Sequence, residues 1–181
     1  LILISVLTDV KADVLVEDAG VNTLFDGNGV NSGSVSAGSG EPGDLVLIAC
    51  GIDTEGNNPF NAPSPGVWTE INNSLCFGDG CQLGVWTGFA ETGSSSEITC
   101  GWSAYSLGFA AGSFRFGNVD AEAPVIDFAC SEATGDNIVV RPVSSEPGAQ
   151  VMGIMVTVFT GPALEERVEF DEFEGLVVGP V

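Results

Sequence analysis

Hydrophobic and polar positions alternate with a period of two along much of this chain. From Val6 to Val16 one set of positions reads Val6, Thr8, Val10, Ala12, Val14 and Val16, and the other reads Leu7, Asp9, Lys11, Asp13 and Leu15. That alternation predicts a long, half-buried strand. Leu1, Ile2, Leu3 and Ile4 just before it are apolar on both faces, so a strand there needs cover on both sides. The run Asp44–Cys50 is also apolar on both faces and predicts a central strand. Leu83, Val85, Thr87 and Phe89 alternate with Gly84, Trp86 and Gly88, which leaves Trp86 among glycines and open to exposure. Ile98, Cys100 and Trp102 share a face opposite Glu97, Thr99 and Gly101, which makes Trp102 a core residue. Further strands are predicted at 67–71, 107–116, 125–130, 138–143, 151–159 and 167–178, and only Pro162–Glu166 looks briefly helical.

Turn signals recur every ~8–15 residues, and no segment sustains a 3.6-residue period. The expectation is therefore an all-β chain: a single antiparallel β-sandwich, jelly-roll-like, of about nine or ten strands with an extended N-terminal strand. Three regions are expected. Residues 1–25 form an N-terminal strand or assembly arm, 26–43 a Gly/Ser-rich connection, and 44–181 the β-sandwich, ending in an acidic strand with an apolar tip. Within the connection, Asp26-Gly27-Asn28 with Asn31 resembles a fragment of a calcium loop. It lacks the bidentate Glu such a loop needs, so it reads as a turn.

Composition narrows the chemistry. The chain has 181 residues, 25 of them Gly, which suits many short strands joined by turns. It has no His, and 4 Lys+Arg face 25 Asp+Glu, for a formal net charge of −21. Four basic side chains do not make a phosphate-binding face, so nucleic acid is not an expected partner. Without His, Ser-His-Asp and Cys-His catalysis and His-ligated metal sites are excluded. Calcium needs only oxygen ligands and stays compatible with this acidity. No stretch reaches the ~18–20 apolar residues of a spanning helix, so membrane insertion is not expected.

The five cysteines are Cys50, Cys76, Cys81, Cys100 and Cys130. Cys76 and Cys81 bracket a Gly-Asp-Gly tip and are the candidate disulfide, since two Cys across a hairpin can meet bonding geometry. Cys50, Cys100 and Cys130 sit among apolar residues and are expected as buried thiols.

Three fragments carry a likeness. They are Gly43-Asp44-Leu45, Pro65-Gly66-Val67-Trp68, and Phe114-Arg115-Phe116-Gly117-Asn118-Val119-Asp120 with Pro124-Val125-Ile126-Asp127. Their order resembles jelly-roll or concanavalin-like β-sandwich domains of bacteriophage tail, fibre and decoration proteins. The inserted Val67 and Asn118 depart from that pattern. The resemblance covers about two thirds of the chain and implies a non-enzymatic structural or host-contacting role on a virion surface; fold alone does not establish it.

Near the end, Glu169, Asp171 and Glu174 are spaced E-x-D-x-x-E. This resembles the catalytic strand of laminarinase-type glycosidases, where two carboxyl groups lie about 5–5.5 Å apart. Glu169 would be the nucleophile and Glu174 the acid/base. Against it, Glu172 adds another charge and only Gly175–Val181 follow to complete a cleft. The simpler reading is an acidic edge strand that discourages pairing with other chains, with Asp171, Glu172 and Glu174 as calcium candidates.

The expected function is a self-assembling structural protein located on a virion surface or outside the cell. Its partners are copies of itself and other structural subunits. The assembly arm would be Leu1, Ile2, Leu3, Ile4, Val6, Val10, Val14 and Val16, acting by strand addition. A related expectation is a subunit of an extracellular filament built by donor-strand exchange. The competing class is a carbohydrate-binding module touching a host-surface glycan through Trp86.

Overall fold

The computed structural model describes residues 2–8, 10–38, 41–54, 58–78, 81–91, 97–119, 121–122, 128–132, 150–161 and 164–173. Among the described residues the chain is all-β, in two antiparallel sheets and with no helix. The strands are β1 (Ile2–Thr8), β2 (Val10–Ser36), β3 (Leu45–Asp53), β4 (Phe60–Ser64), β5 (Thr69–Gly78), β6 (Cys81–Phe89), β7 (Glu97–Val119), β8 (Phe128–Glu132), β9 (Gln150–Gly161) and β10 (Leu164–Phe173). One sheet runs β10-β9-β1-β8; the other runs β2-β7-β3-β6-β5, with β4 added on β7. The strand expected at 138–143 lies outside the described residues.

Several boundaries differ from expectation. The 6–16 run is not one strand: β1 ends at Thr8 in one sheet and β2 begins at Val10 in the other. The Gly/Ser-rich stretch is strand as far as Ser36 rather than a connection, paired with β7 from Ser32 opposite Gly101 to Ser36 opposite Glu97. Small residues are needed there because β2 closes on an aromatic: a Cβ at Gly33 would overlap the Phe109 ring. Leu164–Glu166, expected as part of a short helix, begin β10, because pairing with β9 overrides a weak local preference.

The expected strands 98–102 and 107–116 are one element, β7, and it folds back on itself. Trp102 and Phe109 would stand roughly 23 Å apart on a straight strand rising ~3.3 Å per residue. Their rings stack instead, at 5.3 Å between centroids. The bend follows from register. β2 carries extra residues between Phe25, opposite Gly108, and Val30, opposite Ser106. β7 then carries extra residues between Ser106 and Gly101, opposite Val30 and Ser32. Such bulges turn a strand pair sharply, and Gly29, at φ 79°, takes a conformation costly for other residues.

The doubling encloses an apolar cluster. From one side come Val35, Ala37, Phe60, Ile98, Cys100 and Trp102, and from the other Val46, Ile48, Cys50, Ile52, Trp86 and Phe109. Fully burying each large side chain contributes about 1.5–3 kcal/mol. The opposite face of β3, β6 and β7 buries Leu45, Leu47, Leu83, Val85, Phe114 and Phe116. β9 and β10 of the four-stranded sheet approach this part of the molecule. β3 is thus covered on both faces and paired on both edges, as its unbroken apolar run predicts.

Candidate functional site

The described parts of the three fragments that carry the family likeness form structural joints; Asp120 and Pro124–Asp127 lie outside the described residues. Asp44 opens β3 and Arg115 lies on β7 beside it, since Val46 pairs with Arg115 in the register. The Arg115 Nε donates to Asp44 Oδ2 at 2.9 Å, with both side chains only 7% exposed. Arg115 Nη2 also donates to the Glu41 carbonyl at 2.8 Å, and the Glu41 amide donates to Asp44 Oδ2 at 2.7 Å. Gly43, at φ 95°, makes the turn that lets its amide donate to the Ala90 carbonyl, while the Ala90 amide donates to the Asp44 carbonyl. This corner ties the starts of β3 and the ends of β6 and β7 together.

The second fragment, Pro65–Trp68, folds over β6. After the cis Ser64–Pro65 bond, the Trp68 indole N–H donates to the Pro65 carbonyl at 3.0 Å. The indole lies over Gly88, where a Cβ would come 2.8 Å from the Val67 carbonyl oxygen and 3.0 Å from the Trp68 ring. Gly88 therefore permits the turn to sit on the sheet. Val67, the inserted residue, stands 86% exposed at the tip, and Phe89 is 39% exposed. This apolar tip is a surface feature that the strand pattern did not single out; the signal was the insertion of an apolar residue into a turn.

A second joint centres on Asn58, buried between β4 and the bulge of β7. Its Oδ1 accepts from the amides of Ser103 and Ala104 and from the Ser103 hydroxyl, and its Nδ2 donates to the Ala104 carbonyl. Its own amide donates to Gln82 Oε1. The bulged residues of β7 thus find in this side chain the partners that bulging denies them in the ladder.

Trp86 is the main correction. Its expected exposure, and with it the glycan contact, does not hold: it is 1% exposed and packs edge-to-face on Phe60 at 5.6 Å. The neighbouring glycine is the reason. A Cβ at Gly84 would overlap the Trp86 ring, so that position is empty because the indole fills it. Trp102 is in the core as expected, its indole N–H donating to the Val30 carbonyl at 3.0 Å. Cys50 and Cys100 are not thiols: they form a disulfide between the two halves of the doubled sheet, with Cα atoms 6.6 Å apart. Fifty positions separate them in the chain, and only the fold-back of β7 brings them together.

The remaining candidates are placed by their backbones. Cys76 lies opposite Leu83 and Cys81 opposite Gly78, and Cys130 on β8 lies opposite Ile4. Ile2, Leu3, Ile4 and Val6 belong to β1, which is paired with β8 on one edge and β9 on the other within the same chain. Val10 and Val16 lie on β2 opposite Val119 and Phe116, and Val14 falls at a register shift. Leu1 lies outside the described residues. Glu169, Asp171 and Glu172 lie on β10, the strand at one end of its sheet, opposite Thr157, Met155 and Ile154. Glu174 lies outside the described residues. Among the described residues, no three Cys, Asp or Glu side chains gather as a metal site, and no helix is long and apolar enough to cross a membrane.

No protein-family model matches the chain, and neither a curated protein nor a solved structure matches it.

Proposed function

We propose that this chain is a non-enzymatic structural protein with a jelly-roll-like β-sandwich, which self-assembles on the surface of a particle, as a bacteriophage virion component does. The observation that carries this reading is the convergence of the fragments resembling phage β-sandwich domains. Asp44 and Arg115, 71 positions apart, meet in one buried ion pair, and Trp68 closes a turn on the same sheet. Sequence-distant fragments that meet as joints behave as parts of a scaffold. The Cys50–Cys100 disulfide suits a protein that folds in an oxidising medium rather than a reducing cytosol. Partners on this reading are further copies and other structural subunits.

The test is the state of the full chain in solution. Light scattering and negative-stain electron microscopy over a concentration series, with and without calcium, are expected to show regular oligomers. Calcium strengthening them would support a role for the acidic β10. A monomer at every concentration that hydrolyses a β-glucan would overturn the proposal.

A second reading, the donor-strand filament, is favoured by one observation: β1 is inserted between β8 and β9 and antiparallel to both. In such a filament the same pairing would come from a neighbour. Ser5 and Gly153 are register partners, so the Ser5→Cys, Gly153→Cys double variant discriminates. A cross-linked ladder on a non-reducing gel supports exchange, and a monomer cross-linked within itself eliminates it.

A further inference from the structure

We propose that the Cys50–Cys100 disulfide is a lock that is set only while the doubled sheet stands open and is shielded from solution thiols and disulfides once it has closed. The inference stands on the fold and holds whether or not the particle reading does. Both cysteines are 0% exposed. They lie inside the apolar cluster with Ile48, Ile52, Trp86, Ile98 and Phe109. One side of the bond belongs to β3 and the other to the folded-back half of β7.

Oxidation by a small disulfide such as oxidised glutathione has two steps. The thiolate of one cysteine attacks a sulfur of the small disulfide, forming a mixed disulfide and releasing one glutathione thiolate. The second cysteine's thiolate then attacks the protein sulfur of that mixed disulfide, forming the Cys50–Cys100 bond and releasing the second glutathione. Two electrons pass to the oxidant, which takes up the two thiol protons. The mixed disulfide needs room for a tripeptide beside Cys50 or Cys100, and the closed layers leave none. Reduction by a dithiol requires the same approach in reverse. Exchange in either direction therefore waits for β2, β4 and the first half of β7 to lift from β3 and β6. The redox state of the closed protein then reflects the medium in which it folded rather than the one in which it works.

The experiment uses the oxidised full chain with excess dithiothreitol, in native buffer and in guanidinium. Samples are quenched by alkylation at intervals, and mass spectrometry of peptic fragments quantifies the Cys50–Cys100 cross-linked peptide. The native bond is expected to outlast the denatured one by a factor on the order of ten or more, because exchange must await local opening. Gly33→Ala drives a methyl into the Phe109 ring and is expected to speed native reduction severalfold, while Val67→Ser at the exposed tip leaves it unchanged. Should Gly33→Ala not fold, a series of urea concentrations below the unfolding transition replaces it. The reduction rate should then rise in step with hydrogen exchange of the β2 and β7 amides. Equal rates in native and denatured protein, a rate independent of that opening, or the absence of a Cys50–Cys100 cross-link in the oxidised chain each overturns the proposal.

Discussion

The cluster between the doubled strands is held by area, and the corner where β3 begins is held by direction. In the first, Trp86, Phe60, Phe109 and Trp102 touch as edges and stacked rings, and every neighbour contributes through contact. In the second, a single carboxylate oxygen of Asp44 accepts from Arg115 and from the Glu41 backbone, and the guanidinium reaches on to the Glu41 carbonyl. Apolar contact is roughly proportional to area and indifferent to small rotations. It makes the doubled sheet stable without choosing a register. The ion pair contributes little net energy against an apolar replacement, yet it tolerates only one alignment of β3 on β7. The Asn58 joint works like the corner, through directed hydrogen bonds, but on neutral groups.

The largest expected effect falls in the cluster. Trp86→Ala should cost about 3–5 kcal/mol in urea unfolding, because Gly84 cannot fill the space the indole leaves. A loss below about 1 kcal/mol would mean that the two layers do not close on this ring. At the corner, Arg115→Met should cost a comparable ~3–5 kcal/mol, since it strands the Asp44 carboxylate in a buried site. The double variant Asp44→Leu, Arg115→Met should recover most of that loss. If instead the double variant is as unstable as the single, the corner acts through more than this pair, and the contrast with the cluster weakens. Arg115→Lys adds detail: a compact ammonium cannot copy the fork that reaches both Asp44 and the Glu41 carbonyl, so it should restore only part of the stability.

Asn58→Ala should cost less, about 1–3 kcal/mol, and its signature should be local. Faster hydrogen exchange at Ser103 and Ala104 with unchanged protection at Leu47 and Ile48 would mark the bulge as the region released. Smallest of all is Val67→Ser, which should move stability by no more than about 0.5 kcal/mol because the side chain stands in solvent. Loss of assembly in that variant without loss of stability would make the tip a contact surface.

Much of the strand layout was legible from local pattern. Leu45–Ile48 read as a central strand because an unbroken apolar run needs two covered faces, and Trp102 read as core from its partners Ile98 and Cys100. The exposure that the pattern predicts for Trp86 differs from the fold because glycine neighbours look like exposure in a sequence. In the fold, Gly84 is the space the indole occupies. The pairing of Cys50 with Cys100 escapes the sequence for a related reason. Each sits among apolar residues, which predicts burial, and burial they have, but pairing depends on a distance that no local pattern records. The Gly/Ser stretch reads as a connection because it lacks large apolar groups. It is strand because its partner layer supplies the large groups and needs a thin neighbour. The candidate residues of the acidic end follow the same limit: Glu169 and Asp171 could be put on a strand, and which strand flanks them came only with the register against β9.

The amino-acid order alone determined that this chain is built of strands, which of its runs are covered on both faces, and that histidine chemistry is closed to it. Those follow from properties carried by neighbouring residues: the two-residue period, the backbone freedom of glycine and the count of ionisable groups. The tertiary structure alone decided that β7 doubles back, that Cys50 meets Cys100, that Asp44 meets Arg115, and that the indole of Trp86 points inward. The fold-back and the cysteine pairing depend on where two bulges fall out of step between β2 and β7, and the Asp44–Arg115 pair depends on the register of β3 against β7. A bulge is a mismatch between partners, so it exists only once the strands have been paired.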